Sequence, residues 1–360
     1  MTWEAEKPIR VAIVGVGNCC SALIQGLAYY QKHGADAPGL MNVDIGGYKV
    51  TDIVPVAAFD IDARRVGLDL SQAIFSGANI AYRYPDVEVP GCGVEVQMGP
   101  PMDGISSALS EFVQVADQPA VDVVQILRES GAEMLLNLLP TGSAQAARFY
   151  ADATIKEAGI GFINGMPELI VCDPLYQQAA VVNGVPLIGD DVKSQLGGTA
   201  IHRALLQLLR ARGIHVKRTY QLNYAGNTDF YNLVHRGQSK HKTKREALET
   251  LVASEAEIST GFSYVDMMGD RKTAIFYIDG SNYGDAPLHF EAKLEVEDSA
   301  NFGGVMVDMI RYMKLALDRG TAGVLHSASA WLTKHPPIPM DDDALAIQQL
   351  REFVVGQRER

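Results

Sequence analysis

An open, doubly wound parallel α/β sheet interrupted by an inserted α+β domain is the fold this sequence predicts, on three observations. Short apolar runs rich in β-branched residues alternate with helical stretches through the first half of the chain. Two glycines stand directly after the first of those runs, where a strand would turn into a helix. From about Thr199 the apolar residues begin to alternate with polar ones, before a long helical stretch returns.

The elements follow in order. Residues 9–16 read as a buried parallel strand ended by glycine, and 21–30 as the helix it feeds. Residues 41–50 are expected to form an excursion with short strands of its own, before a second strand at 54–60. Further strands are expected at 132–139, 159–164 and 184–189, separated by helices such as 143–158. After a helix at 200–212, residues 217–223, 274–279 and 288–296 alternate as half-exposed antiparallel strands do, and a helix at 301–319 follows. A chain of 360 residues exceeds one ordinary core, so two domains are expected: residues 1–197 with 300–360, and an insertion of 198–299.

Composition narrows the function. With 47% hydrophobic and 21% charged residues the chain is globular. Its formal net charge of −12 repels phosphate backbones, which argues against a nucleic-acid partner; a small anionic substrate would need locally gathered lysines. Cys19, Cys20, Cys92 and Cys172 form no Cys-x-x-Cys pair and read as reduced thiols. No Cys/His cluster has metal-ligand spacing, so no structural metal is expected. The N-terminus is polar and no apolar run reaches about 18 residues, so neither a signal peptide nor a membrane span is expected, and the localisation expected is cytoplasmic.

The candidate chemistry begins at Gly15-Val16-Gly17-Asn18. Glycine there lets the backbone approach a pyrophosphate at a helix N-terminus, whose free N–H groups favour an anion. Cys20 holds the place of the usual third glycine, so a tight turn without a ligand is the competing reading. Asp60 ends the second strand, where a carboxylate can accept both ribose hydroxyls and would repel the extra phosphate of NADP. NAD is therefore the expected cofactor, against a simple solvated acid. Residues 189–194, GDDVKS, put two carboxylates, Lys193 and Ser194 into the loop after an apolar strand, at the edge where such sheets bind ligands. A helix N-cap at Asp190 or Asp191 explains part of that pattern and is compatible with function. Residues 239–245, SKHKTKR, hold five basic residues in six from Lys240, and a solvated face and a phosphate-binding segment are both open readings.

Together these segments resemble myo-inositol-1-phosphate synthase, particularly its shorter bacterial form, over residues 9–356. The resemblance rests on VGVGNC (14–19), AFDID (58–62), LPTGS (139–143), GDDVKS (189–194), GNTD (226–229), SKHKTK (239–244), GDRK (269–272) and KLEVEDS (293–299), in the family's order. It implies a Rossmann-type NAD domain, an inserted domain that carries catalysis and tetramer contacts, and a homotetramer. It also implies a redox-neutral isomerisation of a sugar phosphate, glucose 6-phosphate to 1D-myo-inositol 3-phosphate, in inositol and phospholipid biosynthesis. In that reaction C5 is oxidised, an enolate forms at C6, C6 attacks the C1 aldehyde, and the C5 ketone is reduced. Residue by residue, the resemblance makes Lys193, Lys244, Lys272 and Lys314 catalytic, with Asp270 assisting. Lys193 and Lys272 would stabilise oxyanions or move protons, and Lys244 and Lys314 would hold substrate or phosphate. Gly15, Val16, Gly17, Asn18, Asp60, Thr141, Gly142, Ser143, Asp191, Ser194, Asn227, Asp229, Lys240, Asp298 and Ser299 match its NAD-contacting positions.

The chain departs from the family's pattern at Tyr224-Ala225 and within 164–168, 262–268 and 298–304, several of them beside the implied substrate pocket. A paralogue that closes fructose 6-phosphate to a five-membered cyclitol phosphate is therefore the second reading. A non-catalytic NAD-binding regulator is the third.

Overall fold

The computed structural model describes residues 3, 5–103, 105, 109–236, 251–252 and 256–360. The basic segment 239–245, with Lys240 and Lys244, lies outside the described residues. The strands are β1 (Ile9–Val14), β2 (Ile53–Asp60), β3 (Val96–Met98), β4 (Met134–Asn137), β5 (Gly161–Asn164), β6 (Pro186–Ile188), β7 (His215–Ala225), β8 (Glu257–Tyr264), β9 (Arg271–Ser281), β10 (Pro287–Glu297) and β11 (Gly323–Val324). The helices are α1 (Asn18–His33), α2 (Leu70–Ala73), α3 (Val123–Glu129), α4 (Ala144–Ala151), α5 (Pro174–Asn183), α6 (Gly198–Ala211), α7 (Thr228–Arg236), α8 (Asp298–Asp318), α9 (His326–Leu332) and α10 (Asp343–Val354).

Seven strands form one parallel sheet in the order β3-β2-β1-β4-β5-β6-β11, the doubly wound arrangement with a switch point between β1 and β4. Alternate residues of β1 serve the two faces. Val11 and Ile13 pack with Leu23 and Leu27 of α1 and with Met309 and Met313 of α8, while Ala12 and Val14 join Leu127, Ala147 and Ala180 on the other side. Both faces are covered, which is why β1 reads as a continuous apolar run from Val11 onward.

The remaining strands form a second sheet, β10-β9-β7-β8. One face of it packs on α6 through Leu206, Val216 and Ile278, and the other presents Tyr220 and Tyr277, stacked with centroids 4.8 Å apart. Two expectations are corrected here. This sheet is mixed, because β7 pairs with β8 in parallel; alternation reports a half-buried strand but not its direction. Residues 41–50 contain no strand, only an isolated bridge between Ile45 and Tyr48, followed by a 3-10 turn at Val50–Asp52.

What holds the 41–50 excursion is Arg311, fully buried on α8. Its guanidinium donates to the carbonyls of Asn42 (2.7 Å) and Val43 (3.0 Å) and pairs with Asp308, whose carboxylate also accepts from Asn42 Nδ2 (2.6 Å). Removing one member of a buried ion pair strands the other. Arg311→Met is accordingly expected to lower the unfolding free energy by about 3 kcal/mol, measured by urea denaturation at fixed protein concentration.

Candidate functional site

In a parallel sheet every strand ends at the same edge, and the loops there surround a cleft facing the second sheet. Gly15 leaves β1 at φ +92°, and a Cβ on it would lie 2.5 Å from the Leu138 carbonyl oxygen. Gly17 caps α1 without a side-chain hydrogen bond, and a Cβ on it would meet nothing within 4 Å, so its backbone opens onto the cleft. Asp60 closes this loop. One carboxylate oxygen accepts from Val16 N–H at 2.7 Å and Arg65 at 3.2 Å, and the other accepts from the Ile61 and Asp62 N–H groups at 2.7 and 2.9 Å. Those four donors use the lone pairs of Asp60, the contact with Arg65 being the longest.

The opposite wall comes from the loop after β6. Residues 190–193 pair with 332–335 through four backbone bonds: Asp190 N to His335 O, His335 N to Asp190 O, Lys334 N to Asp191 O and Lys193 N to Leu332 O, at 2.7 to 3.0 Å. Asp190 is fully buried and accepts from Asn164 Nδ2, Val171 N–H and Cys172 N–H; burial still pushes its carboxyl up to about 6. Asp191 receives Lys334 Nζ at 2.7 Å on one oxygen, while its buried Oδ2 has no hydrogen-bond partner among the described residues. Lys193 is almost wholly buried, its Nζ lying 5.0 Å from the Trp331 ring centroid. Burial lowers its pKa to about 8; Asp343 opposes the shift and Arg203 adds to it.

The second sheet supplies the rest. Lys272 at the start of β9 pairs with Asp298 at 2.8 Å, and Asp298 opens α8. Behind them Asp270 accepts from Asn227 Nδ2 (3.0 Å), Ser299 Oγ (2.9 Å) and Ser299 N–H (3.2 Å). Burial first, and the Asp298 charge second, push its carboxyl up to about 7. Across the cleft mouth, Thr141 Oγ1 donates to Asp229 at 3.1 Å and Asn232 to the Thr141 carbonyl at 2.7 Å, which ties the 140–143 turn to α7.

Of the residues singled out from sequence, Gly15, Gly17, Asn18, Asp60, Asp191, Lys193, Ser194, Asn227, Asp229, Lys272, Asp298 and Ser299 all line this cleft. Val16, Thr141 and Asp270 stand behind it, bonded to residues that do line it; Ser143 Oγ bonds the Pro140 carbonyl, and Gly142 N–H bonds Glu168. Lys314 is a correction. Its ammonium bonds Glu133 (2.8 Å) and Asp318 (2.7 Å), which together outweigh burial and raise its pKa. Glu133 precedes β4, at the amino edge of the sheet, and Lys314 stands sixteen residues along α8 from Asp298, about 24 Å at 1.5 Å per residue. The lysine that does line the cleft and escaped sequence reading is Lys334. Its position, two residues past the Ala330-Trp331-Leu332 end of α9, has meaning only through the pairing with 190–193. Among the described residues no group of His, Cys, Asp and Glu is placed to hold a metal ion, and no helix is long and apolar enough to cross a membrane.

The sequence model of the myo-inositol-1-phosphate synthase family matches residues 197–299. The chain is 44% identical to an inositol-3-phosphate synthase of Mycobacterium tuberculosis, over 98% of this chain and 97% of that protein. It is also 44% identical to an inositol-3-phosphate synthase of Mycolicibacterium smegmatis, over 98% and 99%. Among solved structures, the crystal structure of Ari2 superposes with a TM-score of 0.79 at 38% identity, covering 97% of this chain and 99% of that one.

The two loop glycines are expected to behave differently. Gly15→Ala meets both a left-handed φ and the Leu138 carbonyl, so it should cost about 2 kcal/mol or more and lower Tm, whereas Gly17→Ala should leave Tm unchanged. Differential scanning calorimetry of the two variants checks this.

Proposed function

The chain belongs to the myo-inositol-1-phosphate synthase family, and from that premise we propose that it is an NAD-dependent isomerase that closes glucose 6-phosphate into 1D-myo-inositol 3-phosphate. The observation that carries this reading is that Lys193, Lys272 and Lys334 line the same cleft as the Gly15–Asn18 loop and Asp60. In a protein of net charge −12, a phosphorylated sugar needs such a local gathering of ammonium groups. The reading keeps the two-domain division, residues 1–197 with 300–360 and 198–299, and a homotetramer formed through the inserted domain.

The residues present fit NAD. An open glycine backbone and an uncapped helix N-terminus suit a pyrophosphate, Asp60 suits the ribose, and the orphaned Asp191 Oδ2 awaits a donor. Gly15, Val16, Gly17 and Asn18 would hold the pyrophosphate side, with Thr141, Gly142, Ser143, Ser194, Asn227, Asp229, Asp298 and Ser299 completing the site directly or by shaping it. Bound NAD would supply a hydride acceptor for C5 and return the hydride after ring closure, so that the reaction is redox-neutral. The protein's own contribution is electrostatic and acid–base. Lys193, with a pKa near 8, is part neutral at physiological pH and suits removal of the C6 proton beside the C5 carbonyl. Lys272, held by Asp298, and Lys334, held by Asp191, present fixed positive charge to the oxyanions that form at C5 and C1. Asp270 orients Asn227 and Ser299 from behind.

Purified protein incubated with NAD and glucose 6-phosphate is expected to form a six-membered cyclitol phosphate, read by NMR, without net NADH. Steady NADH accumulation would instead mark an ordinary dehydrogenase. Lys193→Ala and Lys272→Ala should each lower kcat by about 10²–10⁴ while NAD still binds. Lys314→Ala, whose side chain lies at the far edge of the sheet, should leave kcat unchanged. Because a lysine acts as a base only when neutral, and Lys193 loses its proton near pH 8, kcat should rise with pH through about 8 rather than fall.

A further inference from the structure

We propose that Asp343, the first residue of the C-terminal helix α10, is a positioning residue that fixes the orientation and protonation of Lys193 from outside the cleft. The inference rests on the reading of Lys193 as a participant in proton transfer. Asp343 does not line the cleft. Its Oδ1 lies 3.7 Å from Lys193 Nζ and 3.2 Å from Arg203 NH2, so a single carboxylate oxygen faces two cations from two different elements. Arg203, on α6, continues to the carbonyls of Met340 (2.9 Å) and Asp341 (3.4 Å), which anchors the turn that leads into α10. Asp342 caps that helix by accepting from Ala344 N–H at 2.8 Å. The carboxylate is thus held by the fold rather than by the lysine it faces.

The consequence is chemical. Lys193 is wedged between this carboxylate and the cleft, with the Trp331 ring of α9 beside it. Among the described residues, the charged groups set against it are Asp343 on α10 and Arg203 on α6, and they pull its proton affinity in opposite directions. Burial alone favours the neutral amine; Asp343 restrains that effect, so that Lys193 can carry a proton at one stage of a cycle and give it up at another. A base in a redox-neutral cyclisation needs both states, because protons removed at C6 and delivered to oxygen must balance over the turnover.

The test is the pH profile of the full-length enzyme with Asp343→Asn, Asp343→Glu and Arg203→Gln, each first shown to be folded by its thermal melt. Asp343→Asn should lower kcat about 10-fold or more and move its acid limb down by about one pH unit. Asp343→Glu should restore the limb, and Arg203→Gln should move it up. Opposite shifts from two substitutions that break the same contact cannot come from loosened structure. In parallel, the rate at which fluorodinitrobenzene labels the Lys193 amine, followed by peptide mass spectrometry across pH, reads its proton affinity without turnover. An unmoved labelling curve in Asp343→Asn overturns the proposal. A labelling curve that shifts while the rate profile stays put upholds the contact but overturns the catalytic reading of Lys193.

Discussion

The short pairing of residues 190–193 with 332–335 is the constraint from which the cleft follows. Loops that run into a protein interior must satisfy their backbone polar groups, and here two loops far apart in sequence do so against each other. The buried Asp190 carboxylate continues the arrangement to Asn164 and to the backbone of Val171 and Cys172. A loop pinned from both sides has little freedom left, which suits a site whose groups must be preorganised. The same ladder aims two lysines into one space, because Lys193 and Lys334 stand on its opposing strands.

Collecting ammonium groups in a buried cleft raises a second problem, since unpaired buried charge is costly. The structure answers by setting a carboxylate against each lysine: Asp343, shared with Arg203, for Lys193, Asp298 for Lys272 and Asp191 for Lys334. Pairing does not exhaust them. An ammonium has three donors, and the Asp298 contact engages one of those on Lys272. Burial shifts Lys193, the deepest of the three, toward the neutral amine.

Local signals made much of this legible. The buried run into Gly15 and the helix after it are neighbours in sequence, and Asp60, though 44 residues from Val16, ends an equally plain apolar strand, so each can be read from its own local pattern. GDDVKS stood out because an apolar strand feeding two acids and a lysine has no packing explanation. Other features were out of reach for stated reasons. The strands β3 and β11 are three and two residues long, too short to carry a period. The direction of β8 depends on what precedes it in space, not on its own pattern. Lys314 follows the KLEVEDS segment and Lys334 follows no motif, and only the axial length of α8 and the register of the ladder show which of them reaches the cleft.

The inserted segment makes that register matter. It interrupts the parallel sheet between β6 and β11, so the chain must return to close the sheet, and α8 makes the return by running from the cleft to the far edge. Lys272 and Asp270 belong to the second sheet, Lys193 and Asp191 to the first, and Lys334 to the chain after its return. No one of these segments could form the site by itself. A ligand that touches all of them also bridges the two sheets. The C-terminal helix is then more than a closing element, because its first residue reaches Lys193, whose proton affinity burial lowers.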